Sequence, residues 1–130
     1  MLRDKNTKEI GKEGEELAVE FLKKQGYRIL ERNFTTKFGE IDIIARHGGT
    51  VCFIEVKFRG QDRFGTPYDA LDRRKQYRIS KSALAYLKIS KQTDSNCRFD
   101  LVAIRQNTNE PKPMIEFIPD AFPLPENWTV

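Results

Sequence analysis

Histidine and cysteine are scarce in this 130-residue sequence, which holds one of the first, His47, and two of the second, Cys52 and Cys97. A lone histidine argues against a zinc site built on several imidazoles and against histidine-based catalysis. Two cysteines without metal-ligand spacing make neither a disulfide scaffold nor a thiolate cluster. Cys52 falls in an apolar strand pattern and reads as a buried free thiol, suited to a reducing cytoplasm. No apolar run approaches the roughly 18 residues of a membrane helix, so no membrane partner is expected. The stretch from Met1 to Glu9 lacks the apolar centre of a secretory signal, and the expected location is cytoplasmic. Repeats, low-complexity tracts and linkers are also missing. One domain over 1–130 is expected, long enough to bury a core without staples.

What is present is charge, unevenly placed. The net charge is only +4. Yet between positions 59 and 91, Arg59, Arg63, Arg73, Arg74, Lys75, Arg78, Lys81, Lys88 and Lys91 outnumber Asp62, Asp69 and Asp72. Such a stretch is either the electrostatic footprint of a phosphate-backbone binder or an ordinary solvated helix face.

Hydrophobic spacing orders the elements. Ile10, Gly14, Leu17, Ala18, Phe21 and Leu22 make one helical stripe within Lys8–Gln25, and Gly26 supplies the stop. Tyr27–Asn33 reads as a first strand. Glu40–Arg46 and Val51–Phe58 are β-branched and aromatic, with a hairpin turn at His47-Gly48-Gly49-Thr50. A polar loop from Arg59 to Pro67 precedes a second helix, Asp72–Ser90, with Asp72 as N-cap and Ile79, Ala83, Tyr86 and Leu87 inward. Arg98–Arg105 and Met114–Ile118 are late strands, and 119–130 reads as an irregular tail packed by Phe122 and Trp128. The order α-β-β-β-α-β-β gives an α/β fold, a central mixed sheet flanked by helices.

The hairpin can be registered by counting. With Gly48 and Gly49 in a two-residue turn, His47 opposes Thr50, Asp42 opposes Glu55 and Glu40 opposes Lys57. Opposed residues share a face with Cβ atoms about 4.5–5.5 Å apart. Ile41, Ile43, Ala45, Cys52, Ile54, Val56 and Phe58 then line the other, apolar face. Two carboxylates facing each other across strands repel, and burial raises the pKa of at least one. A divalent cation such as magnesium resolves that conflict with carboxylate oxygens, and Lys57, on the same face, then orients water or offsets charge on a phosphate. A structural salt-bridge ladder shared with Lys57 and Arg59 is the alternative.

Asp42, followed thirteen positions later by Glu55-Val56-Lys57, resembles the PD-(D/E)XK nuclease signature. Ile41 stands where that signature commonly has proline. The strings Gly11-x-x-Gly14-Glu15, Gly39-Glu40-Ile41-Asp42, Phe53-Ile54-Glu55-Val56-Lys57-x-Arg59 and Arg98-Phe99-Asp100 resemble the bacterial YraN-type family. That family is similar in core to archaeal Holliday-junction resolvases. The resemblance covers about 11–104 and implies a restriction endonuclease-like fold. It implies metal ligation by Asp42, Glu55 and the Val56 carbonyl, with Mg2+ (or Mn2+) as the ion and Lys57 as the water-orienting, charge-stabilising lysine. It also brings a glutamate of the first helix to the site, and the glycine-spaced match falls on Glu15. Helical periodicity puts Glu15 and Glu13 on opposite edges of the apolar stripe and does not choose between them. Glu40, facing Lys57, tunes that lysine in this reading. Gln76 is either a near-metal glutamine, as in some relatives, or a hydrogen-bonded core residue. Lys75 is either a phosphate contact or a surface lysine.

The expected function is therefore metal-dependent hydrolysis of DNA phosphodiesters, extending to branched or junction structures. Asp42, Glu55, Lys57 and Glu15 form the catalytic set, and Arg59, Arg73, Arg74, Lys75 and Arg78 form the nucleic-acid surface. Resolvase-like relatives are dimers, so a homodimer is admitted. A nucleic-acid-binding module without turnover and a protein-interaction scaffold are the other readings.

Overall fold

The computed structural model describes residues 7–59, 71–105 and 111–125. Its elements follow the expected order: α1 (Thr7–Lys24), β1 (Arg28–Thr36), β2 (Gly39–His47), β3 (Thr50–Arg59), α2 (Arg73–Ile89), β4 (Asn96–Arg105) and β5 (Met114–Phe122). The Arg59 side chain, the loop after it and Trp128 lie outside the described residues.

Local chemistry sets the helix ends. After α1 the backbone turns left-handed at Gly26 (φ +91). Tyr27 N then donates to Leu22 O at 2.9 Å and Gly26 N to Lys23 O at 3.1 Å, the paired bonds that satisfy terminal carbonyls. α2 starts as expected, with the Asp72 carboxylate accepting from Lys75 N at 2.8 Å. It ends with the same bond pattern around Lys91 (φ 58), where Gln92 N reaches Leu87 O at 2.9 Å.

The five strands form one sheet in the order β1-β2-β3-β4-β5. The β3–β4 pair is parallel and the others are antiparallel. A parallel neighbour needs a crossover connection, and α2 lies on it. This is an α/β fold of the restriction endonuclease-like arrangement, with a helix on each face. Ile44, Val51 and Phe53 pack with Ile79, Ala83 and Leu87 of α2. Ile43, Ala45, Cys52 and Ile54 pack with Ala18 and Leu22 of α1. The central strands are thus buried on both sides, so their apolar runs are nearly continuous. Among the described residues no helix is long and apolar enough to cross a membrane.

The C-terminal reading needs one correction. Pro119 does not end β5, which runs on to Phe122. The β4–β5 register shifts between Phe99/Phe122 and Leu101/Ile118, leaving Pro119 and Asp120 in an irregularity of this edge strand. Proline is tolerated there because no ladder donor is lost. The Asp120 amide donates instead to the Asp100 carboxylate at 2.8 Å. Phe122 stacks on Phe99 with ring centroids 4.5 Å apart, in the α2-side core.

Candidate active site

The β2–β3 ladder has the counted register, from His47↔Thr50 to Ile43↔Ile54. Its paired positions stop there, and the next residue on β2 is Asp42. Its Oδ2 accepts the Val56 amide at 2.8 Å. The alternation of faces also breaks at this point. Ile43 belongs to the α1-side core and Ile41 to the α2-side core, which corrects the expectation that both share a face. On the neighbouring strand Asn33, between the partners of Ile43 and Ile41, is left-handed (φ 53). The carboxylate therefore sits in a seam of the sheet.

Glu55 flanks the seam from β3 with 11% of its side chain exposed. Its Oε1 is 3.0 Å from Lys75 Nζ of α2. Oε2 is buried with no donor beside it among the described residues, unless Asp42 or Glu55 itself carries a proton. Burial and then the facing Glu55 charge raise the Asp42 carboxyl, against the Val56 amide and Lys75, and the result is pushed up to about 7. Burial likewise raises Glu55, against Lys75, a hydrogen bond with Asp42 and the charge of Lys57. Burial alone would depress Lys75, but the Glu55 carboxylate and the more distant Asp42 outweigh it and raise its pKa.

From α1 comes Glu15, half-buried, with an oxygen in a cluster whose other members are Glu40 and Asp42, all within 4.8 Å of one another. Burial and the Asp42 charge raise its pKa, while a hydrogen bond with Asn33 lowers it. Gly14 lets α1 come this close: a Cβ there would lie 3.3 Å from Phe58 Cδ2. On the other side, the β1–β2 turn is tied to α2 by Thr36 and Ser82, whose hydroxyls are 2.8 Å apart. Thr36 Oγ1 also donates to Gly39 O at 3.2 Å. Between turn and helix lies a cleft of about 310 Å3 lined by Gly39, Glu40, Asp42, Lys75, Arg78 and Ile79. Its acids are all-oxygen donors of the kind a hard divalent cation takes, and the unpartnered Glu55 oxygen fits that role.

Comparison with known proteins places the chain in a family. Residues 14–104 match the Uncharacterised protein family UPF0102. The chain belongs to UPF0102. A UPF0102 protein of Geotalea daltonii is 50% identical over 119 residues, covering 92% of this chain and 93% of its own. One of Syntrophus aciditrophicus is 48% identical over 114 residues, 88% of each chain. One of Geobacter metallireducens is 45% identical over 119 residues, 92% and 96% respectively.

Of the residues expected from sequence, the UPF0102 fold brings Glu15, Glu40, Asp42 and Glu55 together. Glu15, not Glu13, takes the α1 position. Lys57 is exposed at the far end of β3, where its charge is felt by Glu55. Glu40 does not face it in a ladder, pairing instead with Thr35 of β1. Val56 enters through its amide. Gln76 Nε2 donates to Leu71 O at 2.8 Å, the hydrogen-bonded alternative. Arg73, Arg74 and Arg78 are all solvent-exposed, and of these Arg78 lines the cleft. His47 stacks on Tyr27 at the hairpin turn, away from the acids.

Sequence reasoning missed two features. The first is the Lys75–Glu55 ion pair, whose one signal was that Lys75 and Ile79 are four apart and so share a helix face. The second is the Thr36–Ser82 tie, for which the sequence carries no local signal.

Proposed function

We propose that this protein is a divalent-metal-dependent nuclease that hydrolyses DNA phosphodiester bonds, with branched and junction DNA among its substrates and a cytoplasmic site of action. One observation carries the reading: Asp42 and Glu55 stand largely buried in a sheet seam, one Glu55 oxygen has no donor among the described residues, and a cleft lined by Lys75 and Arg78 opens beside them. Asp42 and Glu55 would hold the ion, with the Val56 carbonyl, Glu15 and Glu40 within the same region. A bound Mg2+ or Mn2+ supplies Lewis-acid polarisation of the phosphoryl group and a water more easily deprotonated. The protein's own groups do the rest. Glu40 accepts a hydrogen bond from water at the cleft with Glu15 clustered behind it, Lys57 offsets negative charge growing on phosphorus oxygens, and Arg78 grips the backbone.

The test is a titration of magnesium and manganese against linear, single-stranded, flap and four-way-junction DNA, with Asp42→Asn as the control for contaminating nuclease. Metal-dependent cleavage above that background is expected. The Lys75–Glu55 ion pair favours a second reading, a nucleic-acid-binding module that keeps its acids by pairing them. Salt-dependent DNA binding without cleavage anywhere in the panel would select it.

A further inference from the structure

We infer that Lys75 is a resident counter-cation of Glu55 which must leave for a divalent ion to bind, and which then becomes a ligand for substrate phosphate. The inference rests on the metal reading of the site and adds a coupling between metal and nucleic acid.

The argument is one of charge and reach. Lys75 Nζ lies 3.0 Å from Glu55 Oε1, and the other Glu55 oxygen is buried with no hydrogen-bond partner among the described residues. A dication held by Asp42 and Glu55 would sit within a few ångströms of that ammonium, in a half-buried setting where like charges are weakly screened. The two cations compete for one carboxylate. Lys75 can yield, because its side chain is 40% exposed while Glu55 is confined at 11%. The space open to it is the cleft it already lines, where Arg78 stands one helical turn along α2. An ammonium and a guanidinium at that spacing suit the non-bridging oxygens of a phosphodiester. Nucleic acid that draws Lys75 into the cleft frees Glu55 for metal, and metal that expels Lys75 readies it for nucleic acid. Linkage makes the two effects equal in size.

The tests read binding, not turnover. Manganese affinity is measured by EPR on wild type, Lys75→Met, Lys75→Gln, Lys75→Arg and Asp42→Asn, each checked for folding by thermal melting. Both neutral variants should bind manganese at least about tenfold more tightly than wild type, and Lys75→Arg should match wild type. Anisotropy of a labelled duplex in EDTA and in calcium gives the second arm. Calcium should tighten wild-type binding several-fold more than it tightens Lys75→Met. If wild type binds manganese in an Asp42-dependent way and neither neutral variant binds it tighter, the inference fails and the metal site stands. If wild type binds none, or Asp42→Asn binds as well, both fall.

Discussion

A carboxyl held at about 7 makes the folded state proton-loving, and Asp42 turns that into a pH dependence with a definite sign. Its ordinary value is 3.8, so between these two values the folded chain binds a proton that the unfolded chain has released. The stabilisation is full below the lower value and is lost as pH rises through the higher one. Glu55, raised by burial, works in the same direction. In EDTA the melting temperature of wild type should fall from acid to neutral pH relative to Asp42→Asn, which does not titrate there and still offers an acceptor to the Val56 amide. At neutral pH that variant should be no less stable than wild type; a marked loss would favour a structural salt-bridge ladder. Lys57 has a different signature. It is exposed, and no ion pair holds it among the described residues. Lys57→Ala should leave DNA affinity within a few-fold of wild type and lower cleavage about a hundredfold, as for a lost electrostatic stabiliser. Equal cleavage by the two proteins would remove Lys57 from the mechanism.

Helix α2 places its basic residues in two settings, with Lys75 and Arg78 on the cleft and Arg73 and Arg74 exposed at its N-terminal end. Charge reversal of Arg73, Arg74 and Arg78 to Glu should weaken binding to every DNA tested and flatten its salt dependence. Filter binding across a salt series measures both, and unchanged binding by the folded variant would move the docking surface elsewhere. The start of α2, the end of α1 and the hairpin register were legible in the sequence because each is decided within a few residues, by Asp72, by Gly26 and by the Gly48-Gly49 turn. The seam at Asp42 was not, because it depends on a left-handed Asn33 one strand away. Nor was the choice of Glu15 over Glu13, since a helix stripe has two edges and only the tertiary neighbours distinguish them. The length of β5 was hidden likewise: its continuation past Pro119 rests on Asp100, twenty residues earlier.

Taken whole, the molecule separates holding the fold from holding the site. Asp100 is fully buried as a side chain; its Oδ1 accepts from both Arg98 Nε at 2.8 Å and the Asp120 amide, while its Oδ2 is buried with no hydrogen-bond partner among the described residues. The Arg98-Phe99-Asp100 string is therefore tied into the fold through one Asp100 oxygen. Asp100→Ala should cost about 3 kcal/mol, the scale for breaking a buried pair, read from urea unfolding. Metal affinity of the fraction that remains folded should match wild type; a selective loss of that affinity would place Asp100 in the site after all. The acid cluster and its lysine come from positions 15 to 75 and from four elements: α1, β2, β3 and α2. The β3–β4 pairing beneath them is parallel and closes across the whole α2 connection. Contacts of such long sequence separation cost loop entropy that only the assembled fold repays. A chain whose elements have not assembled can thus carry every residue of the site and yet possess no cleft, its acids apart and fully hydrated.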